Sequence, residues 1–123
     1  MNDSILRTKS KEFAKSTVFL CRKLKGNRVE SALINQLLRC GTSVGANVHE
    51  AQYAQGTKDF ISKFEIALKE CNESEYWLEL LYETNSLSQE EYVCCQKRCV
   101  ELRRMLVASV RTLKGKSGTA ESR

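Results

Sequence analysis

Apolar residues recur at every third or fourth position along most of this chain, the repeat of a helix with one buried face. Four segments show the pattern, at about 4–25, 29–55, 57–84 and 89–115. The residues predicted to face the core are Leu6, Phe13, Thr17, Leu20, Leu24, Val29, Leu33, Leu37, Cys40, Val44, Val48, Ala51, Phe60, Phe64, Ala67, Leu68, Cys71, Ser74, Leu78, Leu81, Tyr92, Cys95, Cys99, Leu102, Leu106, Val110 and Leu113. The fold class is therefore predicted to be all-α.

Glycines mark the ends of the first two helices. Gly26 follows the last periodic residue of the first helix and is predicted to lie just beyond its end. Asn27 and Glu30 have the spacing of a capping box for the second helix. That helix is predicted to continue to about Gln55 and to stop at Gly56.

The third and fourth helices carry signals of their own. Thr57 is predicted to cap the third helix, with the Asp59 carboxylate in its first turn. Asn85 is predicted to take the left-handed conformation after that helix ends. Ser88 and Glu91 then form a full capping box for the fourth helix.

The links between the four predicted helices are short. Short links between long helices place each helix antiparallel to the next. We predict one domain over residues 1–115, an antiparallel up-down-up-down four-helix bundle whose last helix ends at Gly115. The polar residues 116–123 are predicted to form a disordered C-terminal tail.

Composition agrees with long helices, and charge is spread unevenly among them. The 123 residues include no proline and six glycines, and 28% of them are charged. Of the net charge of +5, residues 1–25 contribute +5, residues 57–87 contribute −4 and residues 88–115 contribute +3. The first and last helices should therefore form a basic face, and the third an acidic one.

Six cysteines raise the question of disulfides or a metal site, and the sequence favours neither. The chain starts with polar and charged residues, so no signal peptide is expected, and the thiols should stay reduced in the cytoplasm. Cys94, Cys95 and Cys99 do not share one helix face, and the single histidine, His49, lacks the second histidine of a zinc-protease motif. We predict no metal, no cofactor and no catalytic residue. No apolar run is long enough to span a membrane.

A polar stripe lies beside the buried seam of the second helix. Arg39, Ser43, Asn47 and Glu50 recur at helical spacing and fall on one face. Such residues commonly form a structural network or a subunit interface, and contact with a ligand or nucleic acid is the alternative. We predict that Asn47 is buried or nearly so and that its amide is hydrogen-bonded to the stripe or to a neighbouring helix.

Two glycines interrupt the same helix. Gly41 and Gly45 each cost about 1 kcal/mol relative to alanine in a soluble helix. Their expected use is the close approach of another backbone, within the bundle or across a subunit boundary.

Basic residues on the first and fourth helices could follow a phosphate backbone. The candidate nucleic-acid surface on the fourth helix consists of Lys97, Arg98, Arg103, Arg104, Arg111 and Lys114. A solvated basic helix face is the alternative, since few aromatic residues stand among these cations for base stacking.

The second-helix stripe is also where the chain resembles a known family. The motif of Arg, small residues, Ser-Ile/Val-x-x-Asn-x-x-Glu-Gly is typical of bacterial 23S rRNA-intervening-sequence proteins, relatives of the accessory variability protein of diversity-generating retroelements. The matching positions are Arg39, Ser43, Val44, Asn47, Glu50, Thr57, Phe60, Ile66, Ala67, Glu73, Glu75 and Leu78. Ala51 stands where the family usually has glycine, and His49 where a small residue is common.

The resemblance implies an all-α bundle that assembles into a homopentameric ring and has no established enzymatic activity. A nucleic-acid role is implied by the retroelement relatives, in which a basic ring contacts RNA and a reverse transcriptase. Two hypotheses compete: a non-enzymatic assembly protein that binds RNA or DNA through a basic surface, and a scaffold whose partner is another protein.

Surplus apolar residues independently favour a homo-oligomer. A small bundle needs one apolar stripe per helix, and a larger apolar surface marks an interface. Residues outside the main seams are Ile5, Val18, Phe19, Ile61, Ile66, Trp77, Leu80 and Tyr82. The opposite charges of the first and third helices suit a head-to-tail contact between copies.

Overall fold

The computed structural model of the chain describes the backbone of residues 3–121 and the side chains of residues 5–115. Four helices account for most of this part: α1 (Asp3–Gly26), α2 (Ser31–Ala51), α3 (Thr57–Glu83) and α4 (Gln89–Glu121). No strand occurs among the described residues. The prediction of an all-α four-helix bundle is confirmed.

Each helix packs against its neighbours in the sequence, and α4 closes the bundle against α1, so α1 and α3 lie diagonally opposite. Residue pairing gives the directions. Lys9 of α1 meets Glu101 of α4, whereas the later Lys23 meets the earlier Glu91, so the two helices run antiparallel. The other neighbouring helices are related in the same way, as shown by the pairs Ser10–Gly45, Thr17–Gly41, Glu65–Lys114 and Glu75–Arg103 and by the shared core of α2 and α3.

The core is divided between the two ends of the bundle. At the one-loop end, which carries link 52–56, Phe13, Phe64 and Leu106 are fully buried in the larger hydrophobic cluster. At the two-loop end, which carries links 27–30 and 84–88, Leu24 and Leu81 are fully buried in the smaller hydrophobic cluster. Burying one such side chain stabilises the fold by about 1.5–3 kcal/mol, so these clusters supply most of the stability.

The predicted helix faces match the buried residues closely. The whole predicted face of α1 is buried. The predictions missed Ile34, and they placed Ile61 outside the seam although it is buried in the core. Trp77 and Tyr82, also assigned to surplus surface, pack against the smaller cluster.

The turn between α1 and α2 differs from the prediction. Gly26 is the last helical residue, and Arg28 takes the left-handed conformation instead, with φ of 61°. The Val29 N–H donates to the Leu24 carbonyl and the Arg28 N–H to that of Lys25, which closes the helix end in a Schellman motif. The capping box at Asn27 is therefore wrong: Glu30 precedes α2 and makes no side-chain cap.

Three other predicted helix boundaries also differ. Thr57 is the first residue of α3 rather than its cap, since Gly56 occupies the N-cap position and no side chain caps the helix. α2 ends at Ala51 rather than near Gln55, and residues 52–56 form a link that ends at Gly56, whose φ of 97° suits glycine. α4 does not stop at Gly115 but continues to Glu121. The predicted tail at 116–123 lies outside the residues whose side chains the structure describes, and its disorder stays a prediction.

The signals around the third link are confirmed. Asn85 has φ of 63°, as expected beyond the end of α3. The Ser88 N–H donates to Glu91 Oε1 at 2.9 Å, and the Glu91 N–H donates to Ser88 Oγ at 3.1 Å. This is the reciprocal capping box that the sequence predicts.

Candidate nucleic-acid interface

The polar stripe of α2 lies along α3, and Arg39 is the residue that joins the two helices. Its guanidinium donates to Glu70 at 3.3 Å and also to Glu73. Glu73 in turn accepts a hydrogen bond of 3.1 Å from the Trp77 indole N–H. Arg39 therefore acts within the bundle, between α2 and the acidic α3.

The rest of the stripe bonds locally. Ser43 Oγ donates to the Arg39 carbonyl at 2.7 Å, and the Asn47 amide donates to the Ser43 carbonyl at 2.9 Å. Asn47 is half-buried, and Glu50 is exposed. The predicted hydrogen bond of the amide is present, but it stays within α2.

Gly41 and Gly45 face α1, where the two backbones come close together. A Cβ atom placed on Gly41 would lie 2.7 Å from Thr17 Cγ2, and one on Gly45 would lie 3.1 Å from the Ser10 carbonyl oxygen. Both distances are too short for an unshifted methyl group. The glycine pair therefore sets the spacing between α1 and α2.

The six cations of α4 fall into two groups. Arg103 pairs with Glu75 and Lys114 with Glu65, the latter at 2.6 Å, so α3 neutralises both. The remaining four have no ion-pair partner among the described residues; they are Lys97, Arg98, Arg104 and Arg111, all exposed. Lys97, Arg104 and Arg111 stand seven residues apart and form one outward stripe, called here the α4 stripe.

The cations of α1 divide in the same manner. Lys9 and Lys23 point towards α4 and pair with its acids. The exposed cations without an ion-pair partner in the described part of the chain are Arg7, Lys11, Lys15, Arg22 and Lys25. They lie within a quarter-turn sector of α1, on its outer side next to α2.

Part of this sector borders a groove that the sequence analysis missed. The groove lies between α1 and α2 and is lined by Arg7, Lys11 and His49 over the small residues Gly45 and Ala46. The four-residue spacing of Arg7 and Lys11 was visible in the sequence. Their juxtaposition with His49 was not, because it depends on how α1 and α2 pack.

The cysteines are free thiols, and five of the six are buried. Burial raises the pKa of Cys21 and of Cys95 to about 11. Cys71 and Cys99 donate to each other's carbonyl oxygens at 3.2 and 3.3 Å. Their Sγ atoms also lie 3.6 Å apart, and the side-chain hydrogen bond with Cys71, together with burial, raises the pKa of Cys99. Thiols held in the neutral form are weak nucleophiles and pack as small apolar side chains.

The described part of the chain contains no group of three or more His, Cys, Asp or Glu side chains arranged to hold a metal ion. None of its helices is long and apolar enough to cross a membrane.

These features define a helical bundle with an acidic helix tied into ion pairs and basic residues left on two outer faces. The chain belongs to the family of 23S rRNA-intervening sequence proteins, whose model matches residues 2–108. It is similar to a protein of unknown function from the S23 ribosomal protein family of Bacteroides thetaiotaomicron, known from its crystal structure. The two chains are 42% identical, with a TM-score of 0.87, over 90% of this chain and 99% of that one. No curated protein matches the chain in sequence.

Proposed function

We propose that this protein is a non-enzymatic, homo-oligomeric bundle that binds RNA or DNA through its basic outer surfaces. One observation carries the proposal: the acids of α3 neutralise Arg39, Arg103 and Lys114, while the α4 stripe and the outer cations of α1 have no acidic partner in the described residues. Unpaired cations aligned along two neighbouring helices suit a polyanion with regularly spaced charges.

Self-assembly is part of the proposal, and the exposed aromatic residues support it. Phe19 on α1 is 64% exposed, with the Arg22 guanidinium 5.7 Å from its ring centroid. On α3, Tyr76 is 57% exposed beside the exposed Glu79 and Glu83. Both patches lie towards the two-loop end, on opposite sides of the bundle.

A basic aromatic patch on one side and an acidic aromatic patch on the other can join head to tail. Such a contact closes into a ring when the rotation between copies permits. A ring of five copies is what the family resemblance implies. The two patches support the head-to-tail contact and not the number of copies.

The test is binding of the full chain to labelled RNA and DNA over a series of salt concentrations. Affinity should fall steeply as salt rises, because phosphate contacts release counterions. The double variant Lys97→Glu/Arg104→Glu should weaken binding at least about tenfold, whereas Lys58→Glu/Lys69→Glu on α3, with the same change of charge, should weaken it much less. Arg103 is left unchanged, because it is bound to Glu75.

Absence of binding to either nucleic acid at low salt would contradict this function. It would favour the scaffold whose partner is another protein. If the two double variants lose the same amount of nucleic-acid affinity, binding responds to net charge alone. The α4 stripe would then be removed from the proposal.

A further inference from the structure

The groove between α1 and α2 has the size and lining of a ligand site. Its volume is about 630 Å³, and it opens on the outer surface near the one-loop end. Arg7 and Lys11 stand on one wall and His49 on the other, and the floor at Gly45 and Ala46 carries almost no side chain. Its described lining contains no acidic residue.

The cations of this groove contribute nothing evident to folding. Arg7 and Lys11 are four residues apart, and a like-charged pair at that spacing destabilises a helix slightly. On the other side of α1, by contrast, Lys9 and Lys23 are each neutralised by α4. A cation pair that has no acidic partner among the described residues and lies above a small-residue floor is therefore better explained by an external anion.

The extent of the basic sector indicates a polymer rather than a single small anion. Arg7, Lys11 and Lys15 rise about 6 Å per step along α1, and Arg22 and Lys25 continue the row for a total of about 27 Å. A guanidinium can bind a phosphate through two parallel hydrogen bonds, and an ammonium binds it as a point charge. A row that contains both guanidinium and ammonium groups therefore suits a phosphodiester backbone.

An aromatic residue stands beside the groove. The ring of Tyr53 lies 5.6 Å from that of His49, with an angle of 55° between the planes, and Tyr53 is 72% exposed. An exposed ring next to a basic groove can stack an unpaired base. Bases within a duplex are already stacked on each other, so this feature favours a single strand.

We propose that this groove binds one nucleic-acid strand, with Arg7 and Lys11 on its phosphates and an unpaired base stacked on Tyr53. The inference rests on the proposed function and names the site and the form of nucleic acid that it would use. It concerns a surface separate from the α4 stripe.

The experiment measures fluorescence anisotropy of short labelled single-stranded RNA and DNA, and of the matching duplexes, with the full-length protein. Arg7→Gln/Lys11→Gln should lower single-strand affinity at least about tenfold and reduce the slope of log K against log salt by about 1.4, at about 0.7 per phosphate contact. Tyr53→Ala should lower single-strand affinity about tenfold and leave the salt slope unchanged, while Tyr53→Phe should retain the affinity of the unaltered protein. These separate changes in slope and affinity are not expected from general loss of structure.

The matched control is Lys58→Gln/Lys69→Gln, which removes two exposed cations from α3 and should leave binding nearly unchanged. Circular dichroism should show the same helix content in every variant, because all the substituted side chains are exposed.

Three results would overturn the inference while the proposed function stands. In the first, the groove variants bind nucleic acid as tightly as the unaltered protein. In the second, the protein binds a duplex as tightly as a single strand. In the third, a mononucleotide competes as effectively as an oligonucleotide at equal phosphate concentration. If the unaltered protein binds no nucleic acid at low salt, the proposed function fails and the groove inference fails with it.

Discussion

Gly41 shows how the absence of one side chain sets the distance between two helices. Its neighbour across the interface is Thr17, whose Oγ1 donates to the Phe13 carbonyl at 2.8 Å and is thereby held in place. Alanine would improve helix propensity at Gly41 by about 1 kcal/mol, but its methyl group would overlap Thr17. In a packed interior such overlap costs about 1–3 kcal/mol, so the clash should prevail.

We therefore expect Gly41→Ala to lower the free energy of unfolding measured by denaturant titration. Gly26→Ala is the matched control, because a Cβ atom there meets nothing within 4 Å and should be neutral or stabilising. Adding Thr17→Ala to Gly41→Ala should recover part of the loss by making room. A stabilised Gly41→Ala protein would show that α1 and α2 move apart at little cost.

Glu91 makes the start of α4 sensitive to pH. The pKa of its carboxyl is lowered, because the carboxylate accepts hydrogen bonds from the Lys23 ammonium and the Ser88 backbone N–H. A carboxyl whose pKa is lower in the folded chain stabilises the fold above its unfolded pKa. That contribution is lost as pH falls through the folded value.

Glu91→Gln should therefore have a lower melting temperature than the parent protein near neutral pH. This difference in melting temperature should shrink as pH falls below about 4. Thermal melts between about pH 3 and about pH 7 would measure it. Glu90→Gln, at a position without a hydrogen-bond partner among the described side chains, should show a smaller difference. If the difference in melting temperature for Glu91→Gln is the same at every pH, the ionised Glu91 carboxylate does not stabilise the start of α4.

At the scale of the helices, ion pairs with α3 hold its neighbours in register. Arg39 of α2 joins α3 on one side, and Arg103 and Lys114 of α4 join it on the other. These side chains are partly exposed, so solvent screens the pairs and each contributes little to stability. Their larger effect is on the alignment of α2 and α4 along α3, since the apolar stripe already determines which face of α4 is buried.

The pair of Arg103 and Glu75 can be tested by exchanging its charges. Arg103→Glu and Glu75→Arg should each destabilise the bundle by about 1 kcal/mol, and the double exchange should recover much of the loss. Denaturant titration of the four proteins gives the coupling energy. Additive losses would show that the two side chains do not interact in solution.

At the scale of the whole molecule, the proposed contact between copies joins Phe19 to the Tyr76 patch. The unaltered protein should sediment as a homo-oligomer, and Phe19→Asp should shift it towards a single chain of 14.0 kDa. Tyr53→Asp, at another exposed aromatic residue, is the control and should leave the mass unchanged. A single-chain mass for the unaltered protein would refute assembly, a dimer would refute the ring, and an unaffected Phe19→Asp oligomer would refute this contact.

The local sequence was sufficient to predict the four helices and most of their buried faces. Helical periodicity and short-range caps act within a few residues, so the Ser88 capping box and the left-handed Asn85 could be predicted from their neighbours alone. Where local signals competed, as at Gly26 and Arg28, the sequence indicated a helix end but not which residue would take the left-handed conformation.

Only the tertiary structure decided which charged residues are available on the surface. Arg103 and Arg104 are adjacent in the sequence, yet Arg103 faces Glu75 and Arg104 has no such partner in the described residues. Likewise, the groove at Arg7 and His49 exists only because α1 packs against α2 at Gly45, which forms part of its floor. Periodicity determines which side of a helix is buried, because burial needs only one apolar stripe. The pairing of charges and the shape of grooves depend on the rotation and spacing of whole helices, which are set by packing across the bundle.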